Sequence, residues 1–206
     1  IAAFGPLDVK ARVVSTVTPK RAWRGFDWNS FLAPRIGPLP IGFDTDVNAA
    51  VLAEHVGGAA KGFASAAYLT VGTGIGGGLI IDGSLVHGVG HPEMGHMVVP
   101  REKDDAFVGS CPLHGDCLEG LASGSAIAER TPSQPRLDAA HPSFPTIAGY
   151  LASAAINVLT VTAVDVVILG GGVMKVPGLM DLVRQRVTER LAGYLDGPGW
   201  RHGFES

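Results

Sequence analysis

Two glycine-rich segments, each directly after a short apolar run, constrain the fold of this chain most strongly. Residues 72–78 lie between two β-prone runs at 66–71 and 79–81, and residues 170–172 follow the apolar run at 166–169. Glycine supplies 29 of the 206 residues, which is about twice its usual share. Glycine suits positions where a side chain would obstruct the backbone or where φ is positive. The pattern therefore predicts strands that end in tight backbone turns.

The order of the other elements predicts an α/β fold. Apolar residues at helical spacing run from Asp46 to the stop at Gly57, which predicts a helix at 46–56. Asp82–Gly83 is typical of a hairpin turn. Further predictions are strands at 13–17, 39–43, 94–99 and 166–169, and helices at 27–35, 144–164 and 176–195. A repeated order of strand, glycine turn and helix indicates α/β architecture.

Composition excludes several classes of protein. The chain is 46% hydrophobic and 17% charged with a formal net charge of −3, which favours a packed core and gives no general attraction to nucleic acid or anionic lipid. Uncharged stretches at 62–81 and 142–164 contain Gly, Pro, Asn, Ser and Thr, so buried core elements are a better interpretation than membrane spans. No membrane or nucleic-acid partner is expected. Trp23, Trp28 and Trp200 are predicted to be packing anchors.

Each glycine segment has a functional and a structural interpretation. Bare backbone N–H groups in the first segment, with the Thr73 hydroxyl, suit a phosphate, but a tight structural hairpin explains the same residues. The segment is not a Walker P-loop, because no Gly-Lys-Ser/Thr follows, and it opens a strand rather than a helix. The second segment follows a strand at the edge where α/β sheets bind ligands, and it also suits a simple strand-to-helix turn.

Four residues of the kind that bind zinc lie in and near one poorly apolar segment. Cys111, His114 and Cys117 form a Cys-x2-His-x2-Cys loop, and His96 lies upstream. Tetrahedral zinc prefers this set of thiolate and imidazole ligands, and four protein ligands indicate a structural rather than a catalytic ion. Residues 101–119 have too few periodic apolar residues to fold by packing alone, so a metal would hold them. A local Cys111–Cys117 disulfide and two unpaired buried thiols are the alternatives.

Three acidic residues are candidates for chemistry. Asp46 starts the first predicted helix, where an aspartate is commonly an N-cap. The neighbouring Asp44 or Thr45 could cap this helix instead, which would leave Asp46 available as a general base. Glu93 and Glu119 bracket the metal-ligand region, although isolated glutamates are usually solvated. The histidines outside the ligand set, His91 among them, are interpreted as surface or loop residues.

Five motifs in order resemble the ROK family of bacterial sugar kinases, and two of them resemble its fructokinase branch. The motifs are Phe-Asp-Thr-Asp-Val-Asn-Ala-Ala at 43–50, the glycine segment at 70–78, His-Pro-Glu-Met-Gly-His at 91–96, Cys-Pro-Leu-His-Gly-Asp-Cys-Leu-Glu at 111–119 and Leu-Gly-Gly-Gly-Val at 169–173. Phe4-Gly5-Pro6 and Thr18-Pro19-Lys20 also match that branch. The resemblance extends from residue 1 to about residue 195.

The resemblance implies an actin-like ATPase fold of two RNase H-like lobes and ATP-dependent phosphorylation of a hexose with Mg²⁺. Asp46 would be the general base. The implied sugar contacts are Thr45, Asp46, Glu93, His96 and Glu119, and the implied zinc ligands are His96, Cys111, His114 and Cys117. Gly72, Thr73, Gly74 and Gly76 would line the phosphates, and Gly171 and Gly172 would face the adenosine.

The resemblance also implies a cytoplasmic enzyme, a homodimer and a division of the chain. Residues 1–43 would be a remnant of the small lobe, 44–195 the large lobe with a zinc loop at about 91–119, and 196–206 the start of a C-terminal segment. The family's first phosphate hairpin is not matched, so we expect this chain by itself to be inactive. Fructose is the expected substrate. Mannose, glucose or an N-acetylhexosamine, a sugar-sensing regulator of the same family and a non-catalytic remnant are the alternatives.

Overall fold

The computed structural model describes residues 1–18, 20–37 and 39–195. The predicted C-terminal segment at 196–206, with Trp200, lies outside these residues. The strands are β1 (Ala2–Ala3), β2 (Leu7–Asp8), β3 (Val13–Val14), β4 (Asp44–Thr45), β5 (Ala66–Val71), β6 (Ile75–Ile81), β7 (Ser84–Leu85) and β8 (Val166–Gly170). The helices are α1 (Trp28–Ile36), α2 (Asp46–Gly57), α3 (Leu118–Ala122), α4 (Gly124–Arg130), α5 (Phe144–Thr162) and α6 (Leu179–Leu191).

A four-stranded sheet in the order β7-β6-β5-β8 organises the larger part of the chain. β5 pairs antiparallel with β6 and parallel with β8, with Thr70 opposite Gly170. The carboxyl ends of β5 and β8 therefore lie side by side. β6 begins at Ile75, so the predicted turn at 72–78 is too long: only residues 72–74 turn, and the glycines at 76–78 belong to the strand.

The glycines of β6 admit close neighbours on both faces of the strand. A Cβ on Gly77 would lie 2.5 Å from the Met94 Sδ, and a Cβ on Gly78 would lie 2.4 Å from the Val47 carbonyl oxygen. Atoms cannot approach this closely without a clash. These glycines therefore allow the first turn of α2 to pack on one face of the sheet and the segment after β7 to pack on the other.

Helix α5 forms the centre of the main core. Ile147, Tyr150 and Leu151 are fully buried and pack with Leu69 of β5 and Leu121 of α3. Among the described residues, α5 is the one helix that is long and apolar enough to cross a membrane, and most of it is buried inside the protein. This burial agrees with the prediction of a core helix.

The N-terminal residues have an apolar cluster of their own. Ala3, Leu7 and Val14 are buried beneath aromatic side chains that include Phe4 and Trp28. Trp23 stacks on Trp28 with ring centroids 6.0 Å apart, which agrees with a packing role for Trp28, whereas Trp23 is 37% exposed. β1 pairs in parallel with β4, and this pairing joins the cluster to the start of α2.

Local sequence signals predict the starts of three helices and the hairpin turn correctly, but they predict two strands that the structure does not have. α1, α2 and α5 begin within one residue of their predicted starts, and Asp82 and Gly83 both have positive φ, as the predicted hairpin turn requires. The strands predicted at 39–43 and 94–99 are wrong: residues 39–43 have no strand, and Met94–His96 is a 3-10 turn against β6. α6 starts at Leu179 rather than at the predicted residue 176, because Val176 is extended and Gly178 has a left-handed backbone.

Candidate active site and metal centre

The start of α2 presents the Asp46 carboxylate to solvent. Thr45 is buried, and its Oγ1 accepts the Asn48 N–H at 3.0 Å, so Thr45 is the N-cap. Asp46 accepts the Val47 N–H through Oδ1 at 2.9 Å. The helix N-terminus favours a negative charge at this position. The structure thus gives Thr45 a capping role, while its predicted sugar contact stays a prediction.

Asp46 belongs to a group of carboxylates and imidazoles around Glu93. Burial raises the pKa of Glu93. Charge on the imidazoles of His91 and His96 opposes this rise, and the carboxylates of Glu119 and Asp46 add to it. The predicted residues Asp46, His96 and Glu119 therefore lie close enough to Glu93 to influence its protonation. Such a cluster is typical of a functional site.

Two histidines that are interpreted from the sequence as surface or loop residues pair with carboxylates in the structure. The His91 side chain is only 5% exposed, lies 3.5 Å from Glu93, and accepts the Leu7 N–H at 3.0 Å. His87 lies 2.8 Å from the Asp44 carboxylate, next to the catalytic candidate's helix. His91 is a loop residue, as one of the two interpretations has it, but its side chain is buried rather than exposed. Its position at the start of the His-Pro-Glu-Met-Gly-His motif was the available signal.

The glycine turn at 72–74 is held from two sides. The N–H groups of Gly124 and Ser125, at the start of α4, donate to the carbonyls of Gly72 and Thr73 at 2.7 and 3.2 Å. On the other side, Glu119 Oε2 accepts the Ile75 N–H at 2.8 Å. The turn is thereby tied both to α4 and to the acidic cluster.

Gly76, the fourth predicted phosphate contact, lies outside this turn, and its contact with a phosphate stays a prediction. It is the second residue of β6, and a Cβ there would lie 3.0 Å from Val47 Cγ1. Its lack of a side chain is therefore explained by the packing of α2 on the sheet. Within the turn the Gly72 N–H donates to the Gly74 carbonyl oxygen at 2.9 Å, so the N–H groups of Thr73 and Gly74 are the ones left for a ligand.

The second glycine turn lies beside the first. Gly171 has φ +95°, and a Cβ there would lie 2.5 Å from the Val71 carbonyl oxygen. Gly172 has open space where a Cβ would be. Ligands of α/β proteins bind outside the carboxyl ends of parallel strands. The structure thus brings both predicted glycine segments to the edge of the sheet where one elongated ligand could contact both.

The four predicted metal ligands converge. The ligand atoms of His96, Cys111, His114 and Cys117, which we call the metal cluster, all lie within 4.8 Å of one another. His96 Nδ1 lies 3.8 Å from Cys111 Sγ and 3.5 Å from Cys117 Sγ, and both cysteines are free. The ligand atoms of a tetrahedral zinc site are about 3.3 to 3.8 Å apart, given its bond lengths. Two thiols and two imidazoles at this spacing fit zinc, and the disulfide alternative does not match the structure.

The thiol of Cys117 needs a positive charge beside it to ionise. Burial raises its pKa to about 11; a backbone hydrogen bond from Gly120 opposes the shift, and Cys111 and Glu119 add to it. A bound divalent cation deprotonates a coordinating thiol. Without a cation, the thiolate form of Cys117 is therefore disfavoured.

A second cluster, not predicted from the sequence, holds the middle of the segment that carries the metal ligands. Arg130 of α4 makes two hydrogen bonds to Asp105, at 2.6 and 2.8 Å, and Tyr150 donates to the same carboxylate at 2.5 Å. We call Asp105, Arg130 and Tyr150 the arginine clamp. Burial alone would raise the pKa of Asp105, but these hydrogen bonds and the Arg130 charge lower it to about 2.

Comparison with known protein families shows to which family a chain with this arrangement belongs. The model of the ROK family matches residues 1–201. The chain belongs to the ROK family. Among curated relatives, a fructokinase from Zymomonas mobilis is 41% identical in a match 207 aligned positions long, and the match covers 96% of this chain and 68% of the relative.

Solved ROK structures have the same fold. A ROK hexokinase from Thermus thermophilus superposes with a TM-score of 0.75 at 31% identity, covering 92% of this chain and 68% of that one. A ROK family glucokinase from Streptomyces griseus, solved in complex with glucose and AMPPNP, gives a TM-score of 0.67 at 26% identity, covering 93% of this chain and 70% of that one. The predictions of the ROK family, the actin-like ATPase fold and a sugar kinase are confirmed.

Proposed function

We propose that the protein transfers the γ-phosphoryl group of ATP to a hexose, and that D-fructose, converted to fructose 6-phosphate, is its substrate. The observation that carries this proposal is the exposed Asp46 carboxylate, which Thr45 leaves free by capping α2 itself and whose charge raises the pKa of Glu93. The fructokinase relative supports the choice of sugar.

Asp46 is the general base of the proposed reaction. Its Oδ1 is held by the Val47 N–H, and Oδ2 has no hydrogen-bond partner among the described residues. The sugar hydroxyl gives its proton to this carboxylate while its oxygen bonds to the γ-phosphorus, and the bridging oxygen leaves with ADP. Phosphoryl transfer depends mainly on positioning and on charge stabilisation. Mg²⁺, bound with the phosphates, would supply positive charge for the transferring group.

The nucleotide would lie along the edge formed by the two glycine turns. Gly72, Thr73 and Gly74 would contact the phosphates, and Gly171 and Gly172 would face the adenosine. The adjacency of Gly171 and Val71 supports this arrangement, since it brings the two turns to one edge. Backbone N–H groups of a glycine turn bind anions because no Cβ hinders their approach.

The sugar would be held by Glu93, His96 and Glu119. The Nδ1 of His96 faces the two thiols of the metal cluster, so its Nε2 is the nitrogen available to a hydroxyl. Zinc in the metal cluster would fix this imidazole and the loop that carries Glu119. The ion would serve as a structural support rather than as a reactant.

We further propose the division of the chain at residue 43. Residues 1–43 would belong to the small lobe and residues 44–195 to the large lobe, with the loop at 91–119 as its metal-binding part. The separate apolar cluster of the N-terminal residues supports this boundary. As an ATP-dependent enzyme of sugar metabolism, the protein would act in the cytoplasm.

A panel of sugars tests the substrate. The protein, expressed from its complete reading frame, is assayed for ADP release with fructose, mannose, glucose and N-acetylglucosamine. We expect the highest kcat/KM with fructose. A preference for another hexose would replace the substrate but keep the activity. If the protein binds a hexose but forms no ADP from ATP with any of these sugars, the sugar-sensing regulator would be favoured.

Replacement of Asp46 by Asn tests the base. Removal of a general base lowers the rate by about 10²- to 10⁴-fold, so D46N should lose turnover while fructose binding, measured by calorimetry, persists. D82N is the matched control, because Asp82 is exposed in the β6–β7 hairpin turn. Near-normal turnover of D46N would show that Asp46 is not the base.

A further inference from the structure

Ile75 connects the glycine turn to both ends of the metal-binding segment. It is the first residue of β6 and follows the turn directly. Its N–H donates to Glu119 Oε2 at 2.8 Å. On its other side, a Cβ on Gly95 would lie 1.8 Å from the Ile75 carbonyl oxygen, so the backbone of residue 95 rests directly against it. Ile75 is thus held between Glu119 and Gly95.

Both of these neighbours adjoin metal ligands in the sequence. Gly95 precedes His96, and Glu119 follows Cys117 by two residues. His96 Nδ1 and Cys117 Sγ are 3.5 Å apart, within the range for two ligands of one zinc ion. An ion bound to both would fix the separation of the two groups that hold Ile75.

The Glu119 carboxylate also lies against the turn itself. A Cβ on Gly74 would lie 2.5 Å from Glu119 Oε2, so the turn has no room for a side chain over this oxygen. The other side of the turn is held by the Gly124 and Ser125 N–H groups. Without Glu119, one of the two supports of residues 72–74 is lost.

We infer that the metal cluster sets the geometry of the glycine turn through Glu119 and Ile75, so that zinc binding raises the affinity for nucleotide phosphates. Glu119 acts here as a positioning residue, in addition to any contact with the sugar. The inference rests on the proposed function, since it takes residues 72–74 as phosphate contacts and the cluster as a zinc site. The inference adds an energetic coupling between the zinc site and the phosphate site, which neither zinc binding nor phosphate binding requires by itself.

Nucleotide binding with and without zinc tests the coupling. Zinc is removed with a zinc-selective chelator, and Mg²⁺ with AMPPNP is titrated by calorimetry into both forms. We expect about 5- to 150-fold weaker nucleotide binding without zinc, the usual range of coupling between two sites. By thermodynamic linkage AMPPNP must then raise zinc affinity by the same factor. Equal nucleotide affinity in both forms would overturn the inference.

Variants at Glu119 test the route of the coupling. In E119A nucleotide affinity should fall by the same factor as on zinc removal, and zinc should no longer change it. E119Q keeps an oxygen that can accept the Ile75 N–H and should retain most of the affinity. E129A is the matched control, because Glu129 is an exposed glutamate on α4. A zinc effect of full size in E119A would overturn the route.

Hydrogen exchange provides a measurement that does not depend on nucleotide binding. The Ile75 N–H should exchange more slowly in the zinc-bound protein than after chelation, and E119A should abolish this difference. Zinc that binds without slowing this exchange would overturn the inference and leave the proposed kinase function standing. Failure of the purified protein to retain zinc would overturn both the proposed zinc site and the coupling.

Discussion

The metal cluster and the arginine clamp secure the same segment by different chemistry. The metal cluster closes the ends of the segment at His96 and Cys117, whereas the clamp holds its middle at Asp105. The cluster joins soft ligands that need an external ion, and the clamp joins buried charges that the chain supplies itself. Two independent sets of contacts therefore order this segment, although it has few apolar residues. Chelation should disrupt the metal cluster, whereas acid should disrupt the arginine clamp.

Loss of the metal support should have the largest effect. C117A removes a buried ligand, so the protein should lose bound zinc and about 4 to 5 kcal/mol of unfolding free energy or more. Elemental analysis and urea unfolding measure the two quantities. Chelation should destabilise the wild type but should not destabilise C117A further.

A residue of the same loop supplies the control for this variant. Leu113 lies between Cys111 and His114 but is 64% exposed, so L113A should retain zinc and stability. Less than about a tenth of an equivalent of zinc in the wild-type protein would contradict the site, because a structural zinc site is occupied in nearly every folded molecule.

Breaking the arginine clamp should have the next largest effect. The Arg130 and Asp105 side chains are 6% and 7% exposed, and removal of one partner of a buried pair costs about 3 to 5 kcal/mol. R130A should lose this much unfolding free energy while it still binds one zinc. R186A is the control, because the Arg186–Glu189 pair is exposed and such pairs contribute about 0 to 1 kcal/mol. Zinc loss in R130A would show that the two supports are not separate.

Acid should weaken the clamp with the smallest effect of the three. The pKa of Asp105 falls from 3.8 to about 2 on folding, so its stabilisation is complete above about pH 4 and is lost as the pH falls through about 2. Acid also protonates metal ligands, so the quantity to measure is the difference between wild type and R130A. The stability of R130A should fall less steeply between pH 4 and pH 2. Parallel curves would assign the acid sensitivity elsewhere.

The two supports also differ in how far the sequence predicts them. Cys111, His114 and Cys117 lie within one loop at a spacing that zinc sites use, so the residues themselves indicate the chemistry. The clamp joins Asp105 to Arg130 and Tyr150 across 25 and 45 residues. No local pattern relates an aspartate in a loop to an arginine on a later helix. These contacts form only when α4 and α5 pack against the loop that carries Asp105.

The same distinction explains the errors elsewhere. α2 was predicted because its apolar spacing, its cap and its glycine stop are local signals. The sequence predicts a turn at Gly76 and its neighbours because glycine weakens a strand, and the partners Val47 and Met94 that explain these glycines are distant in sequence. The burial of the His91 side chain escapes sequence prediction for the same reason, since its partner Leu7 lies 84 residues away.

The bare backbone of β6 has a consequence for how this protein can change over time. In most strands a β-branched residue in place of glycine raises stability. Here a carbon on Gly78 would meet the Val47 carbonyl oxygen at 2.4 Å and push away the helix end that carries Asp46. Substitutions that would strengthen the sheet would therefore move the proposed base. Substitutions intended to raise thermal stability should therefore be made outside β6.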